Sequence, residues 1–536
     1  MHAAPPLRCR TLIFGLLLTL APALVWAGEG DSPARLPTLT VTAKVDGLRL
    51  GDIAWLRRDS FGLDSATLAR YRELGRTRFL DEQLAGGDDS LPPQIATQIS
   101  SLAVVSTPLP QQLAEYQERA EQYKQMGADG PAKDAAKTAF QLYRREIYQQ
   151  SAQVEMLHAI YGGDQLKEQL VWFWLNHFSV YADKGPVRLF TTDYEENVIR
   201  PHALGRFKDL VMATLQSPAM LVFLDNAHNV KDKTNENYAR ELMELHTLGV
   251  NSGYTQQDVQ QLMRILTGAT VLPPKLAARQ NLFVRARPGL VRDGLFVFNP
   301  NQHDFGDKNF LGQTIKGSGY DEIAQAVDLI VRQPACAHFI SQKLATYFIT
   351  DQPSAALVDA MANTFQRTDG DIAAVLRTMF LSTDAAAIGG HKFKDPMRFL
   401  VSSMRLTYDG QPIPNAEPLV NWLRQMGEPL YGRITPDGWP LDSASWTGSG
   451  QMSKRFDFAG VIGSGRNRLF VDNGDPATAN TFAGLPKDAP ALRDSALYRD
   501  AIAQGLSVAT SNALDQAKSP TEWNTFLLSS PDFNYR

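Results

Sequence analysis

Residues 132–160 contain neither glycine nor proline and are rich in Ala, Gln, Glu, Lys and Arg. These residue types favour the helical state, and nothing in the segment interrupts the hydrogen bonding of a helix. The segment therefore predicts one long α-helix. A chain that contains such a helix must build its core largely from other helices that pack against it.

The helical period recurs along most of the chain. Residues 165–181 are apolar on nearly every side, which predicts a helix that is buried on most of its faces. Ser217 and Thr255 are predicted N-caps, because each precedes a helical pattern. The predicted fold class is mainly α, a large multi-helix body whose further helices span 64–84, 111–126, 206–216, 219–224, 235–248, 321–332, 335–349, 354–367 and 371–381.

Two parts of the chain depart from this pattern. Residues 271–319 combine a Pro-Pro pair with alternating Leu and Val and with frequent Gly and Asn, which predicts a small β-hairpin-like insertion. From Lys392 onwards helices alternate with loops, and residues 431–450 are rich in Gly, Pro and Trp. Because no repeat or clear linker divides the chain, residues 49–536 are predicted to form a single large helical domain.

The amino terminus has the features of a secretory signal. Arg8 and Arg10 precede an apolar run that ends with small residues at Ala27, so residues 1–27 are predicted to be a cleaved signal peptide. Residues 28–48 then form an extended lead-in. Cleavage removes Cys9 and leaves Cys336 as a lone thiol, for which a buried, unreactive position is favoured.

The signal predicts a periplasmic or secreted protein with no stable membrane span after cleavage. The formal net charge is −4, so there is no overall electrostatic attraction for nucleic acid and no nucleic-acid partner is expected. The nucleophile elbow of serine hydrolases, the phosphate-binding loop and the dinucleotide fingerprint are all missing from the sequence, which disfavours those classes. The sequence names no cofactor.

Residues 235–249 carry the densest group of ionisable side chains. On a helix, Glu236, Arg240, Glu241 and Glu244 share one side, and Tyr238, Ala239, Leu242, Leu245 and His246 share the other. The four polar residues are candidate catalytic residues, since Arg240 can keep one Glu ionised while a second, desolvated Glu stays protonated as a general acid. The alternative is a solvated face of salt bridges.

Three histidines are weak candidates for a metal site. His177 and His246 lie on apolar helix faces, where a packed histidine that is hydrogen-bonded to a carbonyl is the default. His303 lies in a polar loop and is the histidine most readily called functional, so His303 and Asp304 are candidate catalytic residues and Lys308 is a candidate binding residue. No local His or Cys pairing accompanies the three histidines, and no metal is therefore assigned.

Two further segments could bind a ligand. Arg200, His202 and Arg206 surround a predicted helix start, where a carboxylate, sulfate or phosphate could be held. Pairing of both arginines with acids such as Asp193 or Glu195 is at least as strong an alternative. Trp439 lies in a Pro-Asp-Gly-Trp-Pro loop that could present an aromatic plane to sugars, although such loops more often fill a core.

Several of these segments resemble the domain-of-unknown-function 1800 family. The most specific is Asn-Glu-Asn-Tyr-Ala-Arg-Glu-Leu-Met-Glu-Leu-His-Thr-Leu-Gly at 235–249. The resemblance implies a secreted bacterial protein that is mainly helical and is often encoded beside a partner similar to sulfatases and alkaline phosphatases. It supplies no catalytic residue. The other matching segments are Trp174–Phe178, Val198–Gly205, Ser217–Met220, Leu224–Asn226, Tyr254–Val259, Leu266–Gly268, His303–Asp304 with Lys308 and Gly312, Lys392–Pro396, Pro436–Trp439 and Ser530–Arg536.

These observations favour a secreted or periplasmic hydrolase that acts on an envelope or extracellular polymer such as a polysaccharide. The competing hypothesis is a non-catalytic binding or assembly factor for a co-encoded enzyme or an exported polymer. Convergence of Arg240, Glu241, Glu244 and His303 on one concave surface would favour the enzyme.

Overall fold

The computed structural model describes residues 44–45, 48–87, 90–126, 130–250, 252–272, 288–386, 392–471 and 488–536. The predicted signal peptide and most of the predicted lead-in lie outside the described residues, as does the first part of the predicted insertion. The residues from 41 to 536 form one compact unit.

Helices make up most of the described chain, which confirms the mainly α fold class. In chain order they are α1 (Leu50–Asp59), α2 (Ser65–Leu84), α3 (Pro93–Ser101), α4 (Ala103–Ser106), α5 (Leu109–Gln125), α6 (Pro131–Tyr161), α7 (Gln165–His177), α8 (Thr191–Asp193), α9 (Phe207–Gln216), α10 (Pro218–Phe223), α11 (Asn237–Glu241), α12 (Gln256–Ile265), α13 (Asp321–Val331), α14 (Pro334–Phe348), α15 (Ala355–Arg367), α16 (Ile372–Phe380), α17 (Thr383–Ala386), α18 (Pro396–Tyr408), α19 (Glu417–Gln425), α20 (Ser449–Ser464), α21 (Ala496–Ala501), α22 (Val508–Asp515), α23 (Pro520–Ser529) and α24 (Pro531–Asn534).

The strands are short and antiparallel. They are β1 (Lys44–Val45), β2 (Leu48–Arg49), β3 (Ala269–Val271), β4 (Val291–Asp293), β5 (Phe296–Phe298), β6 (Lys308–Phe310) and β7 (Gln313–Ile315). β5 lies between β3 and β4, with Ala269 opposite Phe298 and Val291 opposite the same residue. β6 and β7 form a separate hairpin in which Lys308 pairs with Ile315. Residues 269–315 thus hold two small sheets where the sequence predicts a hairpin-like insertion.

Local start signals explain where many helices begin. The Ser217 hydroxyl accepts a hydrogen bond from the Ala219 amide at 3.2 Å, and Pro218 occupies the first turn of α10, where its missing N–H costs nothing. Thr255 and Asp258 form a capping box at the start of α12. Both predicted N-caps are confirmed.

Two central helices form the middle of the core. Every residue of α7 except Lys167 is buried, as the apolar sequence of that segment predicts. Every residue of α18 is buried as well, and α18 packs against α6 and α20. The first half of α6 is largely exposed, and its burial becomes continuous from Ser151 to Leu157. Within the described residues, no helix is both long and apolar enough to span a membrane.

Two helices widen into π-helical turns, at Tyr194–Ile199 and Leu242–Thr247. A π turn holds more residues than an α turn and therefore shifts which side chains share a face. This shift explains a difference from the predicted helix over 235–248, because Met243 is buried and Leu245 is only half-buried. Turns of this kind are frequent at functional sites.

Candidate active site

Four elements meet where α7 ends. They are α7, the π turn at Leu242–Thr247, α14, and the loop over residues 431–441, which we call the Trp439 loop. His177 is the last residue of α7, and its Nε2 donates a hydrogen bond to the carbonyl oxygen of His246 at 2.9 Å. His177 and His246, two of the three histidines considered as metal ligands, therefore lie side by side next to the loop, with ring centroids 5.9 Å apart.

The Trp439 loop is attached to α7 by backbone contacts. The Asn176 side chain accepts a hydrogen bond from the Trp439 amide at 2.6 Å and donates one to the Trp439 carbonyl at 3.0 Å. Gly438 has φ = 76°, and a Cβ added there would lie 2.2 Å from the Asn176 carbonyl oxygen. Only glycine permits both this backbone conformation and this close approach.

The other end of the loop is attached to a buried group of charges, which we call the Arg200 cluster. The Tyr431 hydroxyl donates a hydrogen bond to Glu195, and the backbone carbonyl of Tyr431 accepts one from the Ala182 amide at 2.9 Å. The Arg200 guanidinium lies 2.7 Å from Glu168 and 3.2 Å from Glu195. The remaining members of the cluster are Glu155 and Glu196.

Four carboxyl groups around one guanidinium cannot all be ionised cheaply in a buried position. Burial and the neighbouring charge of Glu196 raise the pKa of Glu195 to about 7. Burial and the charge of Glu195 raise the pKa of Glu155 well above its usual range. The cluster thus holds protons at neutral pH and places them directly beneath the loop.

One cleft beside the loop, the Trp439 cleft, has a volume of about 190 Å³. Phe173 and Trp439 supply aromatic walls, and Lys343 of α14 supplies an ammonium group. Arg433 forms an ion pair with Asp437 through both carboxylate oxygens, at 3.0 and 2.5 Å, and its guanidinium carbon lies 5.4 Å from the Trp439 ring centroid.

Lys343 and His177 line this cleft, His246 lies next to His177, and burial shifts the pKa of all three. Burial lowers the pKa of Lys343 to about 8, opposed by the negative charge of Asp437. Burial and the neighbouring positive charge of Lys343 lower the pKa of His177 well below its usual range and that of His246 to about 3. Both imidazoles are therefore neutral at physiological pH.

A second cleft on the loop, the Glu241 cleft, has a volume of about 350 Å³. Glu241 lines it together with Lys184, and Ile434 and Pro436 contribute the loop side. Burial and the nearby carboxylate of Glu244 raise the pKa of Glu241, and the charge of Asp437 adds to this rise. Asp437 therefore acts electrostatically on Glu241 as well as on Lys343.

Glu241 and Asp437 have pKa values that are moved in opposite directions. Burial alone would raise the pKa of Asp437, but hydrogen bonds from Arg433 and Thr435 outweigh it and lower that pKa. One carboxyl group is thus biased towards its protonated form while its neighbour stays ionised. Such divergence is the physical requirement for a general acid and a base or nucleophile that work together.

The other charged residues of the 235–249 segment lie closer to solvent. Arg240 pairs with Glu236 at 2.8 Å, and the two side chains are 35% and 41% exposed. The amide of Gln256 bridges the same pair, at 3.0 Å from Arg240 and 2.9 Å from Glu236. Glu244 is half-buried and acts on Glu241 through its charge. Among the charged residues of this segment, Glu241 is the one that lines the Glu241 cleft.

His303, Asp304 and Lys308 lie in a different part of the protein. The Nδ1 atom of His303 donates to the Thr267 carbonyl at 2.8 Å, and its Nε2 lies 2.9 Å from Glu322. Lys308 forms an ion pair with the same Glu322 and, like Glu322, its side chain is fully buried. Asp304 pairs with Arg264 at 2.7 Å. The structure therefore does not bring His303 together with Glu241.

The arginine-rich segment is divided between two environments. Arg200 is buried in the cluster beneath the Trp439 loop, whereas Arg206 is half exposed and pairs with Asp369 at 2.8 Å. His202 lines a larger cleft of about 740 Å³, which also contains Asp193, Asp209, Arg292 and Asp293. The three predicted anion-binding residues therefore do not form one site.

Among the described residues, no group of three or more His, Cys, Asp and Glu side chains is placed to hold a metal ion. Cys336 is buried, and burial raises the pKa of its thiol, as expected for an unreactive position.

The structure adds residues that the sequence did not single out. Asp437 lies two positions before Trp439, so the Pro-Asp-Gly-Trp motif contained a signal that could have identified it. Lys343 carries no such signal, because its helix has an ordinary amphipathic sequence. Asn176 precedes His177 in the Trp174–Phe178 segment, but its hydrogen bonds are made to the Trp439 loop, which is distant in the chain.

The comparisons with known proteins identify a family but no activity. No curated protein and no solved structure matches the chain. The family described as "Protein of unknown function (DUF1800)" matches residues 54–535, which is nearly the whole chain. The match includes α7, the 235–249 helix, α14 and the Trp439 loop, and so contains the entire candidate site. The chain therefore belongs to the DUF1800 family.

Proposed function

We propose that the protein is a secreted or periplasmic hydrolase that acts on an envelope or extracellular polysaccharide. The observation that carries the proposal is the pair of carboxyl groups on the Trp439 loop and the neighbouring helix. Glu241 has a raised pKa and Asp437 a lowered one, and the negative charge of Asp437 contributes to the rise at Glu241. Glu241 lines the Glu241 cleft and Asp437 lines the Trp439 cleft, and residues of the Trp439 loop form a wall of both clefts.

Hydrolysis of a glycosidic bond needs such a pair. One carboxylic acid protonates the leaving oxygen, and an ionised carboxylate activates water or attacks the sugar. Glu241 is assigned the acid role and Asp437 the ionised role. Trp439 supports a carbohydrate substrate because an aromatic plane next to polar groups suits the apolar face of a sugar ring.

The test is release of reducing ends from purified envelope and exported polysaccharides. Glu241→Gln and Asp437→Asn should each lower kcat by at least a hundredfold while the melting temperature stays within a few degrees. Glu115→Gln, at an exposed ion pair on α5, is the matched control and should keep full activity. Unchanged turnover in the first two variants would exclude this pair as the catalytic groups.

A second candidate, a non-catalytic binding or assembly factor, is favoured by the ammonium group and aromatic walls of the Trp439 cleft, which suit binding without turnover. Polymer binding with no bond cleavage by the wild-type protein would select this alternative. Co-purification with a partner encoded beside it, including a sulfatase-like or phosphatase-like protein, would support the assembly role.

A further inference from the structure

Lys343 lines the Trp439 cleft without a direct partner for its charge among the described residues. Its ammonium group makes no hydrogen bond and no ion pair there, and it lies 5.4 Å from the centroid of the Phe339 ring. The charge of Asp437, which lines the same cleft, favours the protonated amine but forms no ion pair with it. A buried charge held in this way is costly unless a group from outside the chain completes it.

The charges around the cleft leave this ammonium group in excess. Arg433 and Asp437 neutralise one another through their bidentate ion pair. His177 and His246 are neutral at physiological pH. The cleft therefore carries one net positive charge, although the chain as a whole has a formal net charge of −4.

The dimensions of the cleft limit what can bind. Its volume of about 190 Å³ equals that of roughly six water molecules at about 30 Å³ each. This space suits one sugar ring or one charged substituent, and Trp439, which is only partly buried, offers a flat apolar surface for a ring. Because Lys343 is a compact point charge with three donors, it suits an oxyanion without requiring a fixed geometry.

We infer that the Trp439 cleft binds the anionic substituent of an acidic polysaccharide, a carboxylate or a sulfate ester, with Lys343 as its counter-ion. The inference rests on the proposed function and narrows its substrate class from polysaccharides in general to acidic ones. Lys343 is a binding residue in this scheme, and Glu241 and Asp437 remain the reacting groups.

The ionisation of Lys343 gives the inference a second consequence. Burial lowers its pKa to about 8, while Asp437 opposes the shift and Arg433 is already engaged by Asp437. The bound anion needs the protonated amine. Affinity for an anionic ligand should therefore decrease as the pH rises from 7 to 9, and affinity for a neutral ligand should not.

The experiment measures binding by calorimetry in the Glu241→Gln protein, so that no probe is hydrolysed. The probes are trimers of galacturonic, glucuronic and mannuronic acid, their uncharged methyl esters, and a sulfated trisaccharide. At least one anionic probe should bind at least tenfold more tightly than its uncharged counterpart. Lys343→Met should abolish this difference, Lys343→Arg should retain part of it, and Lys316→Met, at an exposed ion pair, should leave it unchanged.

Comparison of the uronic acid trimers with the sulfated trisaccharide identifies which oxyanion binds. Equal affinity for charged and uncharged probes, or an unaltered preference in Lys343→Met, would overturn the inference. The proposed function is judged separately, by release of reducing ends from neutral and acidic polymers by the wild-type protein. Cleavage of neutral polymers without any charge preference would leave the function standing and remove only the inference.

Discussion

Asn176 and Trp439 lie 263 positions apart in the chain and exchange two hydrogen bonds, one with each polar group of the tryptophan backbone. The side-chain amide of Asn176 therefore hydrogen-bonds to the backbone of Trp439 as a neighbouring β-strand would. These bonds fix the Trp439 loop to the end of α7. Because the same loop carries Asp437, the position of a predicted reacting group depends on the side chain of Asn176.

Replacing Asn176 with alanine removes both bonds and leaves two backbone groups without partners. We expect a loss of roughly 1–3 kcal/mol in the free energy of unfolding, measured with urea. Ligand affinity at the Trp439 cleft should also decrease, because the loop is no longer fixed. Asn197→Ala is the control, since Asn197 is exposed and its amide bonds only to Asp193. Equal losses in the two variants would argue against a special role for Asn176.

The contact between Gly438 and Asn176 can be separated from backbone strain by a pair of variants. Gly410 has φ = 79° with open space around it, whereas Gly438 has φ = 76° and a carbonyl oxygen where a Cβ would lie. Gly410→Ala should lower the free energy of unfolding by about 1–2 kcal/mol because of its left-handed backbone alone. Gly438→Ala should cost clearly more, because the loop must also move away from α7. Similar unfolding free energies would show that the close approach is easily relieved.

Acid should destabilise the fold through His246. Its pKa is about 3 in the folded protein and near 6.5 when unfolded. Between these values the unfolded chain binds more protons, so stability decreases as the pH falls, by about 1.4 kcal/mol per pH unit at most. Between pH 7 and pH 5 the free energy of unfolding of His246→Gln should therefore decrease by about 2 kcal/mol less than that of the wild type. The exposed His338→Gln variant should keep the wild-type dependence, and a matching dependence in both variants would contradict the assignment.

The Arg200 cluster should have the opposite pH dependence. Glu155 has a folded pKa raised well above its unfolded value, so its contribution to stability is complete below about pH 4.5 and is lost as the pH rises through the folded pKa. Glu155→Gln mimics the protonated form. As the pH rises from 5 to 8, the free energy of unfolding of this variant should decrease less than that of the wild type. Glu146→Gln, at an exposed position of α6, should behave as wild type.

Two ion pairs, one between β6 and α13 and one between the residues that flank the β6–β7 hairpin, offer a test of the His303 network. Glu322 pairs with Lys308 where both side chains are fully buried, while Asp307 pairs with Lys316 where the side chains are 51% and 78% exposed. Glu322→Gln leaves Lys308 without a counter-ion and His303 without its carboxylate partner, and it should lower the free energy of unfolding by about 3–5 kcal/mol. Asp307→Asn should cost less than about 1 kcal/mol. Comparable unfolding free energies would show that the buried network does not stabilise the hairpin.

The sequence predicts what is decided locally. Helix starts at Ser217 and Thr255 and the buried character of α7 follow from signals within one or two turns, and the structure confirms them. The boundary of α7 was less well predicted, because the sequence suggested an end near residue 181 whereas the helix ends at His177. The π turn at Leu242–Thr247 has no local signature, so the sequence did not predict that Met243 is buried and Leu245 only half-buried.

The candidate site depends on contacts between distant segments. Glu241 and Asp437 are separated by almost two hundred positions, and no periodicity within either segment indicates that they interact. The burial of His303 could not be predicted either, because the polar sequence of its loop suggested an exposed side chain. His303 is buried because it packs against Thr267 and Glu322, which precede and follow its loop in the chain.

The Arg200 cluster has a thermodynamic consequence for the folding reaction itself. Glu155 and Glu195 lose their protons in the unfolded chain at neutral pH, whereas their raised pKa values favour the protonated forms in the folded protein. Folding at pH 7 therefore takes up protons from the solvent at this cluster. The measured enthalpy of unfolding should accordingly vary with the ionisation enthalpy of the buffer, and the variation should shrink in Glu155→Gln.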